Sequence, residues 1–167
     1  SLTPNQWTTK DLRWIVGLFS LEGLVLFGVN LSAVEDGLKA INMLPSLARL
    51  KLSGFELFID PYLSQVNFTS LSSIKLGENS FNNYMVPPWL HNLTGVHDLD
   101  LSSNNLSSPI HGLFEQMTSL VDLDLAVNRF DASTLEPLCN VSSLNYLDPS
   151  LNDMQGSIPS EIGQLSK

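Results

Sequence analysis

The chain is poor in cysteine, in basic residues and in long apolar runs. Cys139 is its single cysteine, so no disulfide is expected within the 167 residues. Eight lysines and arginines stand against 17 aspartates and glutamates, and the resulting net charge of −9 argues against a nucleic-acid-binding face. No apolar stretch reaches the roughly 20 residues of a membrane-spanning helix. The composition therefore indicates an acidic, non-membrane chain that folds without disulfides.

Catalytic and metal-binding patterns are also missing from the sequence. The three histidines, His91, His97 and His111, have neither H-x-x-x-H spacing nor a cysteine cluster beside them, so no zinc site is expected. No G-x-S-x-G turn and no phosphate-binding glycine loop occurs. A Ser-His-Asp triad with distant members stays open. We predict a protein that is not an enzyme.

The chain has one apolar pattern in abundance, repeated six times at intervals of 24 to 26 residues. The pattern is L-x-x-L-x-L-x-x-N-x-L, and its copies begin at Leu21, Leu47, Leu71, Val96, Leu120 and Leu144. A further apolar residue lies three positions before each copy, in the same register. A fixed period of this length is the signature of a leucine-rich-repeat solenoid.

Each copy predicts one coil, because the L-x-L core has the period of two of a short strand. The predicted fold class is a curved α/β leucine-rich-repeat solenoid. A parallel sheet forms its concave face, and irregular, 3-10 or short helical segments form its convex side. Residues 37–44 of the long first coil predict such a helix, and Trp14 and Trp89 are expected to pack partly into the core. Residues 1–167 read as a single solenoid, with a partial repeat over 1–20 and no cysteine-paired caps.

Asparagine occupies the ninth position of four copies, where the chain turns out of the strand. In leucine-rich repeats this amide typically bonds backbone groups of neighbouring coils, which gives an asparagine ladder. The predicted ladder consists of Asn79, Asn104, Asn128 and Asn152. Val29 and Phe55 take the ninth position of the first two copies, so the ladder is expected to be absent there. Pro149 replaces a core leucine and predicts a local defect in the sheet.

Five N-x-S/T sequons suggest an extracellular chain that carries N-linked glycans. Their asparagines are Asn30, Asn67, Asn92, Asn105 and Asn140. Three of them share one position of the repeat and the other two share a second position, so each set is expected to line one edge of the solenoid. The competing interpretation is that N-L-T and N-L-S are common spellings of the repeat that carry no glycan. Apart from glycans, no cofactor and no metal is expected.

The residues between the strand leucines face outward on the concave side and form the predicted binding surface. They are Phe27, Arg49, Lys51, Lys75, His97, Asp98, Asp100, Asp122, Asp124, Tyr146 and Asp148. Basic residues fall in the second and third copies and acidic residues in the fourth to sixth. One interpretation is a dipolar groove for a protein or peptide with a basic segment. The other is that L-D-L-S is a default spelling whose aspartates are ordinary solvated surface.

The segments between the strands resemble the plant-type repeat G-x-I-P-x-x-L-x-x-L. They read MVPPWLHNL at 85–93, SPIHGLFEQM at 108–117 and GSIPSEIGQL at 156–165. With LDLSSNNLS at 99–107, the chain resembles the ectodomain of a plant leucine-rich-repeat receptor-like protein or receptor kinase. RWIVGLFSLEGL and FGVNLS, within 13–32, resemble the branch that includes receptors for fungal xylanase. His111 departs from the pattern, because proline is usual at that position.

The resemblance implies a recognition module in plant defence or development, secreted or at the cell surface, in the apoplast or cell wall. Its partner would be a protein or peptide. Two alternatives stay open. The chain could be a structural glycoprotein that stacks end to end into filaments through Leu2, Trp7, Ile162 and Leu165, since solenoids need capped ends to stay soluble. It could also inhibit a microbial wall-degrading enzyme.

Overall fold

A six-stranded parallel sheet runs the length of the solenoid. The computed structural model describes residues 7–8, 12–30, 37–54, 65–79, 81, 85–107, 110, 112–155, 157, 159–160 and 162. The strands are β1 Trp7–Thr8, β2 Gly23–Phe27, β3 Val29–Asn30, β4 Arg49–Ser53, β5 Ser73–Lys75, β6 Asp98–Asp100, β7 Asp122–Asp124 and β8 Tyr146–Asp148. The large sheet has the order β2-β4-β5-β6-β7-β8, and β1 pairs separately with β3. The predicted leucine-rich-repeat solenoid is confirmed.

The strand register places equivalent residues of successive coils side by side. The central inward column consists of Leu24, Leu50, Ile74, Leu99, Leu123 and Leu147. All except the half-buried Leu147 are buried in one continuous core. Because each buried leucine contributes about 1.5–3 kcal/mol, this column and its neighbours are the main source of stability.

Short helices complete the coils on the side away from the sheet. They are α1 Gly37–Asn42, α2 Leu113–Gln116, and the 3-10 helices Arg13–Ile15, Pro88–Asn92 and Ala132–Asn140. The helix predicted over 37–44 is present as α1. Trp89 is buried, and its ring packs against Phe68 at a centroid distance of 5.9 Å. Cys139 is half-buried.

Where the strands end, the backbone adopts one unusual conformation in coil after coil. The residues at this eighth position of the repeat have φ between 54° and 78°, and they are Gly28, Gly54, Glu78, Ser103, Val127 and Leu151. In the first five of these coils, the N–H of this residue bonds a carbonyl of the following coil. Glycine adopts this left-handed conformation freely, whereas a β-branched residue such as Val127 is strained in it.

Two expectations about single residues are wrong. Trp14 is 57% exposed and does not pack into the core. Pro149 causes no defect in the described sheet, because β8 pairs with β7 in full register and Leu125 N–H bonds Asp148 O at 2.8 Å. Leu76, Leu101 and Leu125 occupy the repeat position of Pro149, and each donates its N–H to a carbonyl of the coil that follows. The missing N–H of Pro149 would therefore point away from β7. Phe55 lies outside the described residues.

Candidate functional site

The outward residues of the sheet form two aligned columns on the concave face. The first column reads Gly23, Arg49, Ser73, Asp98, Asp122 and Tyr146, and the second reads Val25, Lys51, Lys75, Asp100, Asp124 and Asp148. All of these residues are exposed or half-buried. Phe27, at the end of β2, is 55% exposed beside the second column. His97 precedes β6, is exposed, and has Nδ1 2.9 Å from Gly95 O.

Within the two columns the sign of the charge changes once, between β5 and β6. Arg49, Lys51 and Lys75 lie on the β4–β5 side, and the aspartates begin at Asp98. The junction is an ion pair, with Lys75 Nζ 3.2 Å from Asp98 Oδ2. Ser73 Oγ donates to the same oxygen at 2.8 Å. Because this pair is partly exposed, it contributes little to stability, and its effect is to mark where the two charged zones meet.

The aspartates of the second column also shape the strand ends. The N–H of the residue two positions later donates to Oδ1 of Asp100, Asp124 and Asp148, each at 2.9 Å. Asp100 Oδ1 accepts a second bond, at 2.7 Å, from the hydroxyl of Ser102. These bonds favour the view that the aspartates are a default spelling of the repeat. The same carboxylates can still bind a ligand.

Gly77 provides the space for the Asp100 turn. A Cβ on Gly77 would lie 2.8 Å from both Asp100 Oδ1 and Ser102 Oγ. Both separations are shorter than van der Waals contact allows, so both side chains would have to move. The glycine is therefore required by the position of Asp100, although its own φ lies outside the left-handed region.

Asp124 differs electrostatically from Asp148 in the same column. Burial raises the pKa of Asp124, and the neighbouring charges of Asp100 and Asp148 add to the rise, while the Ala126 N–H and Lys75 oppose it. The hydroxyl and N–H of Ser150 instead hold the pKa of Asp148 below its usual range. Two positions after Asp124 the chain has Ala126, whereas Ser102 follows Asp100 and Ser150 follows Asp148 at the same spacing. Asp124 therefore has no such hydroxyl to offset the repulsion from the neighbouring carboxylates.

A shallow depression of about 250 Å³ lies over the acidic zone. It is lined by Lys75, Asp98, Asp100, Asp122, Leu123, Asp124 and Tyr146. Tyr146 is 52% exposed, and the negative charge of Asp148 raises the pKa of its phenol. An exposed aromatic ring beside several carboxylates can hold a cation both electrostatically and through its π face.

The ninth-position asparagines bond the coils to one another on the edge where the strands end. Asn104 Nδ2 donates to Leu76 O of the preceding coil and to Leu101 O of its own coil, both at 2.9 Å. Its Oδ1 accepts the N–H of Asn79 at 3.1 Å. The amides of Asn79, Asn128 and Asn152 likewise donate to the preceding coil and to their own. These bonds join neighbouring coils along this edge and so help to hold the strands of the concave face in register.

Sequence reasoning missed a second inter-coil amide. Asn42, at the end of α1, donates to Gln65 O at 2.7 Å and accepts the N–H of Asn67 at 2.8 Å. It is buried at 5% exposure. In the sequence, the amide bridge of Asn42 is marked only by a polar residue at the end of an apolar helix. The other coils do not repeat that mark.

The remaining predicted residues lie at the edges and ends of the solenoid. Asn67, Asn92, Asn105 and Asn140 are exposed, and the Asn30 backbone lies in β3. Ile162 is half-buried and packs against the core, and Trp7 is described only by its backbone in β1. Leu2, Leu165 and His111 lie outside the described residues. Stacking through the ends stays a prediction.

No described group of three or more His, Cys, Asp and Glu side chains could hold a metal ion. Within the described part of the chain, no helix is long and apolar enough to cross a membrane.

Plant receptor-like proteins are similar in sequence to this chain over most of its length. The chain is 36% identical over 132 residues to Receptor-like protein EIX1 of Solanum lycopersicum, which covers 76% of this chain and 13% of that protein. It is 30% identical over 161 residues to Receptor like protein 22 of Arabidopsis thaliana, covering 95% and 21% respectively. The chain thus spans about a fifth or less of these relatives. No family model matches it.

Solved structures agree with the sequence matches. The ectodomain of the Arabidopsis receptor kinase HAESA, in complex with an N-terminally extended IDA peptide hormone, superposes with a TM-score of 0.78 at 26% identity. The match covers 99% of this chain and 28% of that ectodomain. An internalin from Listeria monocytogenes superposes with a TM-score of 0.64 at 21% identity, which shows the fold alone.

Proposed function

Since the chain is a run of leucine-rich repeats of the plant receptor-like protein type, we propose that it is a non-catalytic recognition module that binds a peptide or protein segment across its concave face. It acts outside the cell, in plant defence or development. The observation that carries the proposal is the exposed, aligned pair of columns whose charge changes sign once. The solved relative in complex with a peptide hormone supports the choice of a peptide.

The concave face has three zones in sequence along the solenoid. Val25 and Phe27, 67% and 55% exposed, form an apolar zone on β2. Arg49, Lys51 and Lys75 form the basic zone, and the aspartates from β6 to β8 form the acidic zone. Six strands about 4.8 Å apart span about 24 Å, which matches roughly seven residues of extended chain. A complementary segment carries an apolar residue, then an acidic one, then a basic one.

A cationic partner would relieve the most electrostatic repulsion in the acidic zone. Asp124 is partly desolvated between two like charges, and this environment raises its pKa. A lysine or arginine of the ligand would offset that repulsion, and its side chain could contact the ring of Tyr146. Complementary charge of this kind provides specificity and orientation more than raw affinity.

The predicted glycan positions leave this face accessible. None of the five sequon asparagines lies in a strand of the six-stranded sheet, since Asn30 belongs to the separate β1–β3 pair. A glycosylated chain would then keep its concave face open to a ligand.

A selection from a library of linear ten-residue peptides on the immobilised chain tests the proposal. We expect enriched peptides to carry apolar, acidic and basic residues in that order, in one of the two chain directions. A target with Lys51→Glu and Lys75→Glu should instead enrich peptides whose central residue is basic. The proposal is wrong if the enriched sequences show no charge order, or if reversing the two lysines leaves the selected sequences unchanged.

A further inference from the structure

A second depression lies beside the ladder, on the edge where the strands end, and the proposed function does not use it. We call it the flank groove. Its volume is about 480 Å³, and it is lined by Asn79, Ser103, Asn104, Asn105, Val127, Asn128, Arg129 and Asp153. Three of the four ladder asparagines, Asn79, Asn104 and Asn128, form its floor, and all three are buried. The remaining residues form its walls and its rim.

Val127 gives the flank groove an apolar wall under strain. The side chain is 45% exposed and the backbone has φ of 57°. A left-handed conformation costs roughly 1–2 kcal/mol for a residue with a Cβ, and a β-branched side chain is the least suited to it. The same position carries glycine in Gly28 and Gly54. Leu151 has the same conformation and is exposed as well, but only Val127 lines the flank groove, where it offers an apolar surface on which a ligand can pack.

Asn105 supplies a candidate for that group within the groove itself. Asn105 begins the sequon N-L-S, and both its side chain and Ser107 are exposed while Leu106 is buried. We propose that the flank groove holds the inner N-acetylglucosamine residues of a glycan attached to Asn105. The apolar face of the sugar ring packs on Val127. Its hydroxyl and acetamido groups bond to the polar walls, which include Ser103 and Asp153.

The occupant follows from the geometry, because a glycan on a groove-lining residue is held at high local concentration. The inference rests on the predicted glycosylation of Asn105 and is independent of what binds the concave face. Asn92 offers a matched comparison, since it is an exposed sequon asparagine at the end of the 3-10 helix Pro88–Asn92 and is not among the groove-lining residues.

The test follows the enzymatic release of N-glycans from the folded chain, secreted from plant cells, by mass spectrometry of glycopeptides. A docked glycan needs a local opening before it is released, so Asn105 should lose its glycan about tenfold more slowly than Asn92. Val127→Asn should accelerate release at Asn105 and leave Asn92 unchanged. It creates no new sequon, because Arg129 follows two positions later.

Three results would overturn the proposal. They are an Asn105 that carries no glycan, equal release rates at Asn105 and Asn92 in the native chain, and a release rate at Asn105 that Val127→Asn does not change. Release from the denatured chain is the control, and there the difference between the two sites should disappear.

Discussion

Replacing Asn104 by alanine should destabilise the solenoid more than replacing any exposed asparagine. Asn104 is 1% exposed, and its loss removes the acceptor of the Asn79 N–H. Leu76 O and Leu101 O each keep a second amide donor, from Asn79 and Asn128. The cost is therefore one unsatisfied buried N–H, about 1–3 kcal/mol, and two net hydrogen bonds at about 0.5–1.5 kcal/mol each.

The expected loss is about 2–6 kcal/mol in the free energy of unfolding, measured by urea titration of the unglycosylated chain with circular dichroism. Asn152→Ala is the matched control, since Asn152 donates to Leu125 O and Pro149 O and accepts the N–H of Phe130. It is half-buried, so water can replace these bonds, and we expect a loss of about 1 kcal/mol. Equal losses for the two variants would refute the argument that burial sets the cost.

Three further predictions concern the strand ends. Val127→Asn should stabilise the unglycosylated chain by about 1 kcal/mol, because asparagine tolerates the left-handed conformation; a lower urea midpoint would count against the strain. Gly77→Ala should cost about 1 kcal/mol and shift the NMR signals of Asp100 and Ser102, whose oxygens lie 2.8 Å from the new Cβ; unchanged signals would contradict it. Ala126→Ser should lower the pKa of Asp124 in an NMR titration by supplying the hydroxyl that Asp148 has from Ser150. Because the raised pKa means that folding favours protonated Asp124, its contribution to stability is full below the unfolded pKa and is lost as the pH rises through the folded pKa. The serine variant should weaken this dependence, and an unchanged titration would show that the hydroxyl does not act on Asp124.

The periodic features of the fold could be predicted from the sequence. The leucine columns, the parallel sheet and the positions of the ladder asparagines recur at a fixed interval with the same residue types, so each copy supports the others. The charge change on the concave face follows from the same register, because the pattern specifies which residues point outward.

Features without a shared residue type could not be predicted. The left-handed eighth position is occupied by glycine, glutamate, serine, valine and leucine in different coils, so only backbone geometry reveals it. Asn42 was missed because its amide bridge is described between two coils only and no repeated spelling marks it. Trp14 occupies an outer segment like that of Trp89, yet it lies on the surface while Trp89 is buried.

The central claim is that the concave face, and its acidic column in particular, binds the ligand. The most direct test measures the affinity of one selected peptide for a variant with Asp100→Asn, Asp124→Asn and Asp148→Asn. Asparagine keeps the Oδ1 acceptor of each strand end and removes the charge. Both this variant and its control are made in a bacterial host, because the Asp100→Asn substitution creates an N-L-S sequon with Leu101 and Ser102.

The control variant carries Glu115→Gln, Glu136→Gln and Asp153→Asn, which remove the same charge from exposed positions outside the sheet. Loss of three carboxylates should weaken binding at least tenfold for the concave variant, since each charge-assisted contact contributes about 1.5–3 kcal/mol. The control variant should bind as the native chain does. Equal affinity of the two variants for the peptide would contradict the account, whether both bind or both fail.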